Sequence, residues 1–264
     1  MIERQLSFIV SSDVANGARN VRDLGSAFDV QLDDAIAIPP GAVNCTLEVN
    51  QTSIWNTVPN ISVEQKNDTF YFSAVEPAVW ETITIDKGLY SVSALNAAIS
   101  RGLVNLGYDA DKITMTGDEA TQKIVFTFKD VNTSIDFTQA DTFREIVGFD
   151  SRIVGPSTIA GETELGDNVA AFNQVNSFLL HSTIINQGIP VNAIGAGIIA
   201  RVPIDVSPGS QINYSPNNPV PTAANTLIGS SLNRFSVWLT DQANRPVDTN
   251  GEVFDALIII RYHV

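Results

Sequence analysis

Cysteine and histidine are almost missing from this chain: its 264 residues include one cysteine, Cys45, and two histidines, His181 and His263. A single thiol excludes an intrachain disulfide framework and any zinc site built from several thiolates. Cys45 falls inside the strand-like run Val43 to Val49, where it reads as a small buried hydrophobe. Two histidines leave a catalytic triad or an imidazole metal site with little to draw on. His181 sits beside Leu179 and Leu180, and His263 is one residue from the end, so both read as packing or surface residues.

Positive charge is also scarce. There are 15 Lys+Arg against 29 Asp+Glu, a net charge of -14. Such a surface repels phosphate backbones, which argues against direct nucleic-acid binding, and it lacks the basic cluster that an anionic lipid surface attracts. The deficit is uneven: residues 1–152 carry 11 basic and 21 acidic side chains, residues 153–264 carry 4 and 8, and no lysine follows Lys129. Long apolar runs are missing as well. The start, MIERQLSFIVSSD, has too short an apolar segment for a signal peptide, and no run reaches membrane-spanning length. Synthesis and folding in a cytosol is the expectation, which makes the six N-x-S/T triplets by-products of an Asn- and Thr-rich chain.

Motifs for chemistry are equally thin. There is no phosphate-binding loop, no G-x-S-x-G and no H-E-x-x-H. Gly195 to Ala200 matches G-x-G-x-x-A, but Val202-Pro203 would stop the helix that a dinucleotide site requires, so a turn or bulge entering a strand is expected. A sandwich glycosidase needs only two well-placed carboxylates, and no pair stands out among the 29 acids. Hard oxygen ligands for calcium occur in two loops, Asp248, Asn250 and Glu252 in one and Glu162, Glu164 and Asp167 in the other. Neither follows the EF-hand pattern, and solvated turns are the plainer reading. The sequence therefore points to no catalytic residue and no required cofactor, with structural calcium at Asp248, Asn250 and Glu252 as the one ion it suggests.

What the chain does have is strands. Hydrophobic residues make up 44% and charged residues 17%, ample for a packed core. Short β-branched and aromatic runs recur between Gly, Pro, Asn and Asp: Leu6 to Val10, Phe28 to Leu32, Ala42 to Trp55, Thr69 to Val75, Trp80 to Ile85, Lys112 to Thr116 and Lys123 to Phe128. After a Gly-, Pro- and Ser-rich stretch from Gly155, the pattern returns at Val175 to Ile185, Gly197 to Val206 and Ser210 to Tyr214. Regular short strands of this kind indicate a sandwich or jelly roll. One helix interrupts them: Ser91 caps it, Val92, Leu95, Ile99, Leu103 and Leu106 share a face, and Gly107 ends it. Phe143 to Phe149 reads as a helical turn closed by Gly148.

The organising stretch is Leu232 to Val264. Phe235, Val237 and Leu239 alternate with polar residues, as in a strand with one wet face. Ala256 to Ile260 is apolar at every position, which calls for cover on both faces: a core in front, and another element or another subunit behind.

These features resemble the double jelly-roll major capsid proteins of the adenovirus and tectivirus lineage, and at this size most of all the coat protein of corticoviruses, tailless marine phages with an internal membrane. The runs that carry the resemblance are Leu89 to Asn96, Glu145 to Phe149, Ile212 to Pro216 and Asn250 to Glu252. The resemblance implies an all-β fold of two consecutive eight-stranded jelly rolls, residues 1–152 with the helix at about 91–106, a linker at 153–168, and residues 169–264. It also implies a non-enzymatic coat protein of the virion, made in host cytoplasm, whose homotrimers form pseudo-hexagonal tiles of an icosahedral shell beside penton and membrane-associated proteins. Two other classes compete. A spike or carbohydrate-binding protein would gather exposed aromatics at one loop end, with Trp55, Trp80 and Trp238 the candidates. A hydrolase would bring two carboxylates into one cleft.

Overall fold

The computed structural model describes residues 1–185, 188, 190–191, 194–195 and 197–264. Among the described residues the chain is all-β apart from two α-helices and two single-turn 3₁₀ helices. It divides into two compact units, Met1–Val58 together with Val175–Val264, and Pro59–Gln174.

The first unit begins with β1 (Glu3–Ser11), β2 (Arg19–Arg22), β3 (Ala27–Ala37) and β4 (Val43–Trp55). It resumes with β12 (Ser177–Ser182), the short pair β13 (Pro190–Val191) and β14 (Ile194–Gly195), β15 (Ile198–Pro203), β16 (Gln211–Tyr214), β17 (Thr222–Ala223), β18 (Ser231–Asp241) and β19 (Asp255–His263). Eight of these pair as a folded-over hairpin: β1 with β19, β3 with β18, β4 with β16 and β12 with β15. They lie in two sheets, ordered β1-β19-β4-β16 and β15-β12-β18-β3-β2. Both sheets supply one core, with Leu47, Ile258 and Ile260 from the first and Phe28, Leu180 and Val237 from the second. This is a single eight-stranded jelly roll, with β2 and β17 added at its margins.

Strand β4 shows how sequence becomes register. Its buried positions are Cys45, Leu47 and Val49, then Thr52 and Ile54, so the two-residue period slips by one at Asn50. Opposite the slip, Leu257 pairs with Gln51 and Ile258 with Val49, leaving Asn50 as a bulge. The extra residue keeps Thr52 and Ile54 pointing inward where an uninterrupted alternation would turn them out.

The second unit is one uninterrupted segment. It comprises β5 (Thr69–Ser73), β6 (Glu81–Thr84), α1 (Val92–Asn105), β7 (Ile113–Asp118), β8 (Lys123–Phe128), β9 (Ser134–Asp136), α2 (Arg144–Val147), β10 (Ile153–Val154) and β11 (Glu162–Leu165). The strands form a four-stranded sheet, β10-β9-β5-β6, and a three-stranded sheet, β11-β8-β7. Helix α1 starts as its sequence dictates: the Ser91 side chain accepts from the Ala94 amide, and Leu95, Ile99 and Leu103 are buried. Leu106, expected on the same face, is exposed, because the helix ends before it. The turn at α2 closes on Gly148 in the left-handed conformation, φ 75°. Asn60 ties the unit's entry to its exit: its amide donates to the carbonyls of Tyr90 (2.8 Å) and Phe172 (3.1 Å), and its oxygen accepts from the Tyr90 amide (2.8 Å).

The arrangement along the chain differs from the expected consecutive halves at 1–152 and 169–264. The jelly roll is built from both ends of the chain, and the second unit is nested between its third and fourth strands with a different topology of seven strands. The expected linker at 153–168 contains β10 and β11, and β11 pairs with β8 along its whole length. Its glycines mark turns inside a sheet, not a boundary between domains. Composition reports where loops are, but partner choice between strands is a long-range property that composition does not carry.

Candidate functional site

Reactive groups do not converge. Cys45 is buried, and burial pushes its thiol up, away from the reactive thiolate. The His181 ring is fully buried, stacked on Trp238 with centroids 4.9 Å apart and planes 11° from parallel, and its Nε2 lies 2.8 Å from Thr240 Oγ1. Of the glycine motif, Ala196 lies outside the described residues, and Ile198 opens strand β15 where the dinucleotide reading needs a helix. Among the described residues no three His, Cys, Asp or Glu side chains gather in a way that holds a metal ion.

The suggested calcium loop is a turn closed on itself. The Asp248 carboxylate accepts from the Asn250 amide (2.8 Å), Asn250 and Gly251 take left-handed conformations, and the Glu252 amide donates to the Thr249 carbonyl (3.0 Å). In the other loop the Glu162 carboxylate accepts from the Thr158 and Ile159 amides, while Glu164 and Asp167 pair with Arg152 at 3.7 and 3.0 Å. Carboxylates elsewhere are held by donors in the same manner. Asp109 and Asp111 share Lys129, each at 2.8 Å. Asp29 takes bonds from Asn20 (2.8 Å), Ser236 (2.7 Å), Arg234 and Arg22 (3.2 Å each), which hold its carboxyl well below the usual range. These are ionised structural anchors; a general acid needs the opposite shift. Trp55, Trp80 and Trp238 are all half-buried, so none offers the open ring that a sugar platform uses.

What the structure does present is sheet faces. On the outward side of β1-β19-β4, successive rows read Gln5-Arg261-Thr46, Ser7-Ile259-Glu48, Ile9-Leu257-Gln51 and Ser11-Asp255-Ser53. Ile9, on the edge strand of this face, is 70% exposed. Arg261 donates to Glu48 (2.8 Å) and to Gln5 (2.8 Å), with Glu3 at 3.8 Å, so charge at that end is compensated within the chain. Asp255 at the other end has no such partner among the described residues, and burial pushes its carboxyl up. In the nested unit, the outward side of β7-β8-β11 has two uncharged rows, Thr114, Thr127 and Thr163 and then Thr116, Val125 and Leu165, followed by the charged pair Asp118 and Lys123.

The doubly apolar run Ala256 to Ile260 was the signal for the first of these faces. Ala256, Ile258 and Ile260 enter the core, and Leu257 and Ile259 face away from it. The anchor at Asp29 left no signal, since Asn20, Arg22, Arg234 and Ser236 meet only through the pairing of β2, β3 and β18.

No protein-family model matches the chain, and no curated protein matches it in sequence. Among solved structures the mavirus penton protein has a similar fold, with a TM-score of 0.50 and 11% identity over 99% of this chain and 100% of that one. The likeness is one of fold and runs end to end. Nothing in it is particular to corticoviruses.

Proposed function

We propose that this chain is a structural capsid protein of a virus, which assembles with copies of itself and with other capsid proteins in the virion shell. The observation that carries this reading is the end-to-end likeness to the mavirus penton protein, spanning 99% of this chain and all of the other. The acidic surface, net -14, fits a part that stays dispersed in host cytoplasm until assembly. The reading assigns no catalytic residue and needs no cofactor.

Within it, a ring of five copies at a shell vertex, the arrangement the word penton denotes, is favoured over the trimeric tile. A pseudo-hexagonal trimer needs two similar barrels from each copy. This chain supplies one jelly roll and a nested unit of four- and three-stranded sheets, so three copies offer three rolls instead of six. Native mass spectrometry and sedimentation velocity on the purified protein test both readings. A pentamer is expected; a trimer would favour the tile, and a monomer persisting at hundreds of micromolar would overturn the capsid reading.

A further inference from the structure

We infer that the outward face of β1, β19 and β4 is the surface on which a neighbouring copy of this chain seats in that assembly. The inference rests on the capsid reading and adds to it the surface and the chemistry of contact.

Three observations carry it. The first is apolar character where a monomer has no use for it. Ile9 is 70% exposed and Leu257 is half-buried beside it on the side of β19 turned away from the core, while Ile259 in the next row is already covered within the chain, 6% exposed. Arg261 lies in the first row and Asp255 in the last, Glu48 in the second row is neutralised by Arg261, and the row of Ile9, Leu257 and Gln51 carries no charge, so a small apolar spot sits within a polar surround.

The second observation is charge. With a net -14, two copies repel unless positive groups meet negative ones. Arg261 is already engaged by Glu48 and Glu3. Asp255 is different: its carboxyl is desolvated, no cation or hydrogen-bond donor among the described residues offsets the burial, and its pKa is raised accordingly. A half-buried carboxylate in that state is completed by a guanidinium. The jelly roll carries exposed arginines without a carboxylate partner among the described residues, Arg4, Arg19 and Arg201. A second copy can therefore bring the group that Asp255 lacks.

The third is area. The nine-residue strands β1 and β19 with the stretch of β4 paired to them present about 30 Å by about 14 Å, roughly 400 Å² per copy. A stable two-body interface uses about 800 Å² per partner. The face is thus too small for a tight isolated dimer and suits a contact repeated around a closed ring, where each copy is held from both sides.

The test compares the intact wild-type chain with Ile9→Glu and with a chain carrying the photo-crosslinking residue benzoylphenylalanine in place of Ser7, which is exposed on the same face. Ile9 is exposed enough for glutamate to leave the fold intact, which circular dichroism and thermal melting check. Wild type is expected to form its oligomer, Ile9→Glu to require at least about tenfold higher concentration to do so, and the Ser7 probe to link one copy to another. A folded Ile9→Glu chain that assembles like wild type, or a probe that captures no second copy while the oligomer is present, overturns this inference and leaves the capsid reading standing. A wild-type chain that never assembles overturns the capsid reading itself, and this inference with it.

Discussion

The two units fill their interiors with different side chains. In the nested unit seven core residues are phenylalanine, and Phe70, Phe72, Phe126, Phe137, Phe143 and Phe149 form a connected cluster with ring centroids 5.3 to 6.3 Å apart. The jelly roll has four, Phe28, Phe178, Phe235 and Phe254, among many Ile, Val and Leu. Two long sheets packed face to face bury many small branched side chains, one from every second position. A small unit of short strands has fewer inward positions and must place a larger side chain at each. The difference also concerns distance along the chain. The nested unit joins strands within Pro59–Gln174, whereas β1 finds β19 from the opposite end of the sequence.

That contrast implies separate cooperativity, and the sharpest way to break it is through the phenylalanine cluster. Phe70→Ala removes a fully buried ring that stacks on Phe143 at 5.5 Å, and a loss of about 3–5 kcal/mol is expected. Hydrogen exchange should quicken in β5, β8 and β9 while β1 and β19 keep their protection. Equal loss of protection in both units would mean that they unfold as one.

A smaller effect probes packing in the same unit. Gly102 lies within α1, and a Cβ there would come 2.3 Å from Ile83 Cγ2 in β6. Alanine gains about 1 kcal/mol of helix propensity over glycine, and overpacking costs about 1–3 kcal/mol. Gly102→Ala is expected to lower the urea midpoint despite its better helix propensity; a rise would show that β6 yields to the helix.

In the jelly roll the informative variants are electrostatic, and the two have opposite signs. The bonds from Asn20 and Ser236 depress the Asp29 pKa, so its stabilisation is present above the ordinary carboxylate value of about 4 and is lost as pH falls through the lowered one. Asp29→Asn should reduce stability at neutral pH and flatten the acid limb of stability against pH. Asp255 behaves in reverse. Its raised pKa means that stability falls as pH climbs from the ordinary value through the raised one. In dilute monomer Asp255→Asn should give a slight rise in urea midpoint at pH 7 and none at pH 3, the smallest change of the four. A fall at pH 7 would show that the ionised carboxylate already has a partner within the chain.

Legibility followed the range of the interaction concerned. Strand β8 was readable to the residue, because Ile124, Phe126 and Phe128 alternate with half-buried Lys123, Val125 and Thr127, a pattern that needs no knowledge of partners. Helix α1 was readable for the same reason, from its cap and its 3.6-residue spacing. At Asp248 to Glu252 the sequence alone could not separate an Asx turn from a cation loop, which use the same residues; the structure shows the turn. The face around Ile9 and Asp255 was half legible. The double-sided run in β19 showed that cover was needed behind the strand, while the identity of its neighbours depended on which strands flank it.

By itself, then, the sequence determined the class of the elements, their approximate limits, the side of each strand that turns inward and the poverty of reactive groups. All of these are written in spacing and side-chain type within a dozen residues. Tertiary structure alone decided that one roll is closed by both chain ends, that the middle of the chain forms a unit of its own, and that Asp29 is surrounded by donors while Asp255 has none among the described residues. Those outcomes depend on pairing as distant as Glu3 with His263, where each strand edge offers the same backbone groups and only the packing of the whole chooses among them.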